Sequence, residues 1–164
     1  YYENTIVCYS YSKSLSLPGE RIGYVLVPPQ AADSADLYAA VCGAGRALGY
    51  VCAPSLFQRV AARCAGQTSD ITVYQTNRDL LYNGLTEMGY RCVKPQGAFY
   101  LFPQTLEPDD RAFCEWAKKY DLLVVPGTDF GAPGHMRISY CVQTETIRRA
   151  LPLFKKLAEE YGCK

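Results

Sequence analysis

A chain of 164 residues, 49% of them hydrophobic, can bury one sizeable core, or a small domain plus part of another. Its 17 Lys and Arg against 16 Asp and Glu leave a formal charge of +1 with the signs interspersed, so no basic face suggests nucleic acid and no charged run suggests a tail. No apolar run is long enough to span a bilayer and the N-terminal stretch has no signal-peptide pattern, which sets aside a membrane as partner. The eight cysteines form no C-x-x-C pair, and Cys8, Cys92 and Cys141 lie in apolar runs where a reduced thiol behaves as a small hydrophobe. They read as free thiols of a cytoplasmic protein rather than a disulfide framework. His135 stands alone and cannot make a metal site.

In chain order, two short apolar runs come first: Thr5-Ile6-Val7-Cys8-Tyr9, and Tyr24-Val25-Leu26-Val27 stopped by Pro28-Pro29. Both read as buried strands. The segment between them reads as a loop at the edge of a sheet, carrying Ser10, Ser12, Lys13 and Arg21. An amine can form a Schiff base with an aldehyde, and a neighbouring cation together with burial makes it nucleophilic near neutrality. A guanidinium and hydroxyls suit a phosphate dianion. Residues 31–66 are Ala-rich and read as mostly helical, opened by Asp33-Ser34 and broken near Gly43, Gly45, Gly49 and Pro54.

Gln67 to Met88 is amphipathic at helical spacing, with Gly89 as its stop. Tyr90 to Lys94 and Ala98 to Phe102 read as strands around a Pro95-Gln96-Gly97 turn. Pro108 to Tyr120 reads as a helix, Leu122 to Val125 as a short buried strand, and Pro126 to Gly134 as a glycine-rich loop. Met136 to Val142 reads as a strand, and Thr144 to Tyr161 as a closing helix with Pro152 unfavourably placed inside it. Strand, strand, helix, strand, strand, helix over residues 90–161 predicts an α+β layer.

Three ordered motifs carry a resemblance. Ser10-Tyr11-Ser12-Lys13 with Pro18-Gly19-Glu20-Arg21-Ile22-Gly23-Tyr24 matches an S-x-S-K…P-G-x-R-x-G-Y pattern, with Arg21 eight residues after Lys13. Gly97-Ala98-Phe99-Tyr100 and Pro126-Gly127…Phe130-Gly131…Met136-Arg137-Ile138-Ser139 follow in register. Together they resemble the class I/II (fold type I, aspartate aminotransferase-like) pyridoxal-phosphate enzymes. The resemblance implies the α+β C-terminal small domain of such an enzyme, preceded by a strand–loop–strand remnant of the α/β large domain. The expected divisions are 1–30 (end of the cofactor-binding domain), 31–66 (helical interface segment) and 67–164 (small domain).

It also implies pyridoxal 5'-phosphate as cofactor, Lys13 as the lysine that binds it as an imine, and Ser10, Ser12 and Arg21 as ligands of its phosphate. Arg137 becomes the clamp for a substrate α-carboxylate. Substrates would be an amino acid and a 2-oxo acid, and the assembly a homodimer with residues 48–54 near the partner's cofactor phosphate. The family's large domain supplies the Asp that faces the pyridine nitrogen, and only twelve residues precede Lys13. The chain therefore reads as a fragment, inactive by itself. Two alternatives stand beside this reading. One is a non-catalytic C-terminal module. The other is an S-x-x-K acyl-enzyme hydrolase using Ser10, whose S-D-N and K-T-G partners are absent from the chain.

Overall fold

The structure, a computed structural model, describes residues 2–163. The chain divides into two compact units, one through Ser69 and one from Asp70 onward.

In the first unit, β1 (Val7–Ser10) and β2 (Gly23–Leu26) pair antiparallel, Val7 opposite Leu26 and Ser10 opposite Gly23. The predicted loop between them is not wholly irregular. Tyr11–Ser14 forms a one-turn helix, α1, because Ser10 sits at its N-cap and its Oγ accepts the Ser12 amide at 3.2 Å. The strands are where the pattern puts them, but their predicted burial is wrong: all eight residues are exposed. A two-stranded ribbon has two faces and needs a further layer to bury either.

Helix α2 (Ser34–Ala47) passes straight through Gly43 and Gly45, where breaks were expected. It ends at Gly49, the next of the expected breaks, whose φ of 88° is open to glycine. The Gly49 amide bonds Arg46 O at 3.0 Å and the Tyr50 amide bonds Gly45 O at 2.8 Å, a Schellman closure. Asp33 occupies the N-cap position without a side-chain capping bond. After Pro54, α3 runs Ser55–Arg63.

The second unit opens with α4 (Thr72–Glu87), started where Asp70 accepts the Thr72 amide and stopped, as expected, at Gly89. No strand forms over Tyr90 to Lys94, although the Gln104 amide bonds Arg91 O at 2.8 Å. The second predicted strand shrinks to β3 (Tyr100–Leu101), bounded by the left-handed Ala98 and by Pro103. Helix α5 (Asp110–Ala117) is capped by Asp109, whose carboxylate accepts the Arg111 and Ala112 amides. Short strands β4 (Val125–Pro126) and β5 (Met136–Ser139) complete an antiparallel sheet of order β3-β5-β4. Helix α6 (Thr144–Glu160) continues through Pro152, which lies on the exposed side, where the carbonyl freed by the missing N–H can take water.

One core joins α4, α5 and α6 to the sheet: Leu81 and Leu85, Phe113 and Ala117, Ile147, Phe154 and Leu157, Leu101 and Met136. Gly84 lets α6 approach closely, since a Cβ there would come within 2.6 Å of a Leu151 methyl. The fully buried Asn77 donates to Tyr140 O (3.1 Å) and Val142 O (2.7 Å) and accepts from the Thr144 hydroxyl (2.7 Å). It thereby pins α4 to the turn that launches α6 and leaves no orphaned amide.

Candidate functional site

Lys13 and Arg21 both belong to the connection that leaves and re-enters the same end of the β1–β2 ribbon. The Tyr11 amide closes the base of that connection on Ile22 O at 3.1 Å. Gly23 is required there, because a Cβ would stand 2.3 Å from Tyr9 O. Three rings brace the turn: Tyr9 stacks on Tyr24 at 5.2 Å and meets Tyr11 edge-on at 5.2 Å.

Lys13 is exposed rather than shielded. Arg21 takes a left-handed φ of 52°, and its Nη1 donates to Pro18 O at 2.9 Å. Ser10 Oγ accepts the Ser12 amide and donates to Ser12 Oγ at 2.9 Å.

A second group of residues lies in the other unit. Along β5, Met136 and Ile138 face the core while Arg137 faces the opposite side, together with Tyr100 across the sheet. The Arg137 guanidinium carbon lies 3.9 Å from the centre of the Phe130 ring and 4.6 Å from that of Tyr100. Ring contact engages the π face of a guanidinium and leaves its in-plane N–H fork for a carboxylate.

Phe130 sits in the predicted glycine-rich loop, which the structure resolves into a 3-10 turn, Gly127–Phe130. The turn is tied on several sides. The Gly127 amide bonds His135 O at 2.7 Å, and the Ala132 amide bonds Gly127 O at 2.9 Å. The buried Asp110 carboxylate accepts the Thr128 amide at 2.7 Å and the Thr128 hydroxyl at 2.9 Å. Burial alone pushes this carboxyl up; the Thr128 amide and hydroxyl and the Gly134 amide outweigh it and hold it below the ordinary aspartate value. Arg111 pairs with Asp129 on the same turn.

Gly127 has no room for a side chain: a Cβ would meet Ala132 O at 2.2 Å and His135 O at 2.7 Å, both backbone atoms. Gly127→Ala is expected to cost about 1–3 kcal/mol, the range for forced overpacking. Thermal unfolding should show a fall of several degrees; an unchanged midpoint would contradict this geometry.

Tyr100, Phe130, Thr128 and Asp110 were not among the predicted site residues. Tyr100 reads in the sequence as a packing residue of a strand, and Asp110 as part of a helix start. Only the sheet register and the path of the turn reveal that they converge on Arg137.

The chain is similar to known proteins along almost its whole length. The sequence model described as Aminotransferase class I and II matches residues 1–153. The chain is 31% identical to the aspartate/prephenate aminotransferase of Thermus thermophilus over 94% of this chain and 41% of that protein. It is 29% identical to aromatic-amino-acid aminotransferase 2 of Thermococcus litoralis over 97% of this chain and 42% of that protein. Among solved structures, an amino transferase from Eubacterium rectale superposes with a TM-score of 0.94 and 64% identity, over 98% of this chain and 40% of that one. The chain thus spans about two-fifths of the length of these relatives. With a match that runs almost from end to end, through the Lys13–Arg21 connection and the strand that bears Arg137, the chain belongs to the class I and II aminotransferase family.

Proposed function

We propose that the protein is a pyridoxal-phosphate-dependent aminotransferase that moves an amino group between an amino acid and a 2-oxo acid. The family match over residues 1–153, which includes an amine, two hydroxyls and a guanidinium grouped at one end of the β1–β2 ribbon, carries this reading. That donor set suits a phosphorylated aldehyde: Lys13 for the carbonyl, Ser10, Ser12 and Arg21 for the phosphate. When bound, the cofactor supplies an aldehyde that takes an amine and a ring that withdraws electrons from the carbon attached to it.

The chain's own residues then have distinct tasks. Lys13 Nζ would hold the cofactor at its carbonyl carbon, and as a free amine the same nitrogen would take the substrate Cα proton as base and give it back as acid. Arg21 balances the phosphate charge. Arg137 binds the α-carboxylate common to both substrates, and the Phe130 and Tyr100 rings orient its donors.

A homodimer and a cytoplasmic location complete the reading. The exposed Tyr38, Leu48, Tyr50 and Val51 of the segment after β2 are of the kind a second subunit covers, and eight unpaired thiols suit a reducing compartment. Aspartate, aromatic and alanine-type amino acids are the candidate donors.

The test is amino transfer by the protein at its full natural length with pyridoxal phosphate, one of those amino acids and a 2-oxo acid. Arg137→Ala is expected to raise KM for both partners by roughly a hundredfold, the worth of a bidentate charged contact. Absence of transfer with every candidate donor would overturn the assignment.

A further inference from the structure

We infer that Asp110, through Thr128 and Phe130, is a positioning residue for Arg137: the buried carboxylate fixes the 3-10 turn that keeps the Phe130 ring over the guanidinium. The chain of contacts is continuous. Asp110 lies at the first turn of α5, a helix anchored in the core by Phe113, Cys114 and Ala117. Its two oxygens hold the Thr128 amide and hydroxyl. Two residues on, the Phe130 ring contacts Arg137 Cζ at 3.9 Å and meets Phe102 edge-on at 6.1 Å.

A buried aspartate is expensive unless its oxygens are used, and here they take the Thr128 amide and hydroxyl together with the Gly134 amide, tying down both ends of a loop that has no catalytic group of its own. The exposed Arg111–Asp129 ion pair on the same turn cannot replace it, because surface pairs contribute little. Phe130 itself is 47% exposed, so hydrophobic burial alone does not fix its position. The backbone beneath it must. The core thus transmits its rigidity to a guanidinium on the open face of the sheet. This inference rests on the carboxylate role of Arg137 for its functional consequence, but its structural claim stands separately.

The test has two arms. In the first, the 164-residue chain is studied by NMR, with the Arg137 side-chain resonances assigned through Arg137→Lys. Phe130→Leu sets the loss of ring-current displacement at the Arg137 δ protons that follows when the ring is removed. Thr128→Val and Asp110→Asn are expected to reproduce at least roughly half of that loss, while Phe130→Tyr keeps the wild-type displacement. Folded variants of Thr128 and Asp110 with an unchanged displacement would overturn the brace. Should Asp110→Asn fail to fold, Thr128→Val decides alone.

In the second arm, the protein at full natural length is assayed with its cofactor. Thr128→Val and Phe130→Leu should raise KM for amino acid and 2-oxo acid roughly five- to tenfold with kcat little changed, the signature of weakened uniform binding. If Arg137→Lys itself leaves KM unaltered, the carboxylate role fails, and the NMR arm still judges the brace. If Arg137→Lys raises KM but the Thr128 and Phe130 variants do not, the brace has no functional consequence and the proposal falls.

Discussion

Lys13→Ala is expected to abolish the absorbance of lysine-bound cofactor and to lower turnover at least about a thousandfold in the protein at full natural length. The size of the effect follows from the number of tasks assigned to one atom. Under the proposed function, Nζ would hold the cofactor and would also serve as the base and acid for the Cα proton. Losing positioned acid–base catalysis alone costs about 10²–10⁴-fold, and loss of the covalent tether removes the prealigned starting state as well. The turn that bears Lys13 is capped by Ser10 and braced by Tyr9, Tyr11 and Tyr24, and Lys13 itself is exposed. The variant should therefore fold normally, and a retained melting profile alongside lost turnover separates chemistry from structure. Turnover within roughly tenfold of wild type would sink the role of Lys13.

Phe113→Ala should produce the largest loss of stability. Its ring is fully buried and sits 5.5 Å from the Tyr161 ring, where α5 meets the end of α6. Truncation removes the transfer energy of the ring and leaves a cavity that the surrounding helices fill only in part, a cost of about 3–5 kcal/mol. For a cooperative unit of this size that lowers the midpoint by at least about 12 °C. Trp116, the single tryptophan, lies on the same helix with its Nε1 donating to Glu160 of α6, so its fluorescence reports whether α5 stays docked. Leu123→Ala, at a side chain 84% exposed, should shift stability by less than about 0.5 kcal/mol and serves as the contrast. Equal effects at the two positions would contradict the placement of the core.

The second unit was the more legible of the two. Gly89 ends α4, Asp109 caps α5 and the apolar stripe over 144–161 becomes α6, because caps and helical periodicity are local signals that survive whatever the chain packs against. Strands were harder. Tyr90 to Lys94 alternates convincingly yet finds no ladder, and Ala98 to Phe102 keeps only Tyr100 and Leu101 once Ala98 turns left-handed. Strand length depends on a partner's register, which no single stretch encodes. In the first unit the hairpin was predictable but its exposure was not, since burial depends on what lies over the ribbon.

Lys13, Arg21 and Arg137 were singled out from the sequence through the motifs that resemble the aminotransferase family, because residue types with fixed chemistry stand there in a fixed order around turns marked by glycine and proline. The partners of Arg137 were not. Phe130 and Tyr100 come from a turn and a neighbouring strand to meet its guanidinium, and Asp110 on a helix holds that turn through Thr128, an arrangement that only antiparallel pairing and core packing create. Chemical identity is a property of individual residues and their order; the aim of a guanidinium is a property of everything that holds the backbone beneath it.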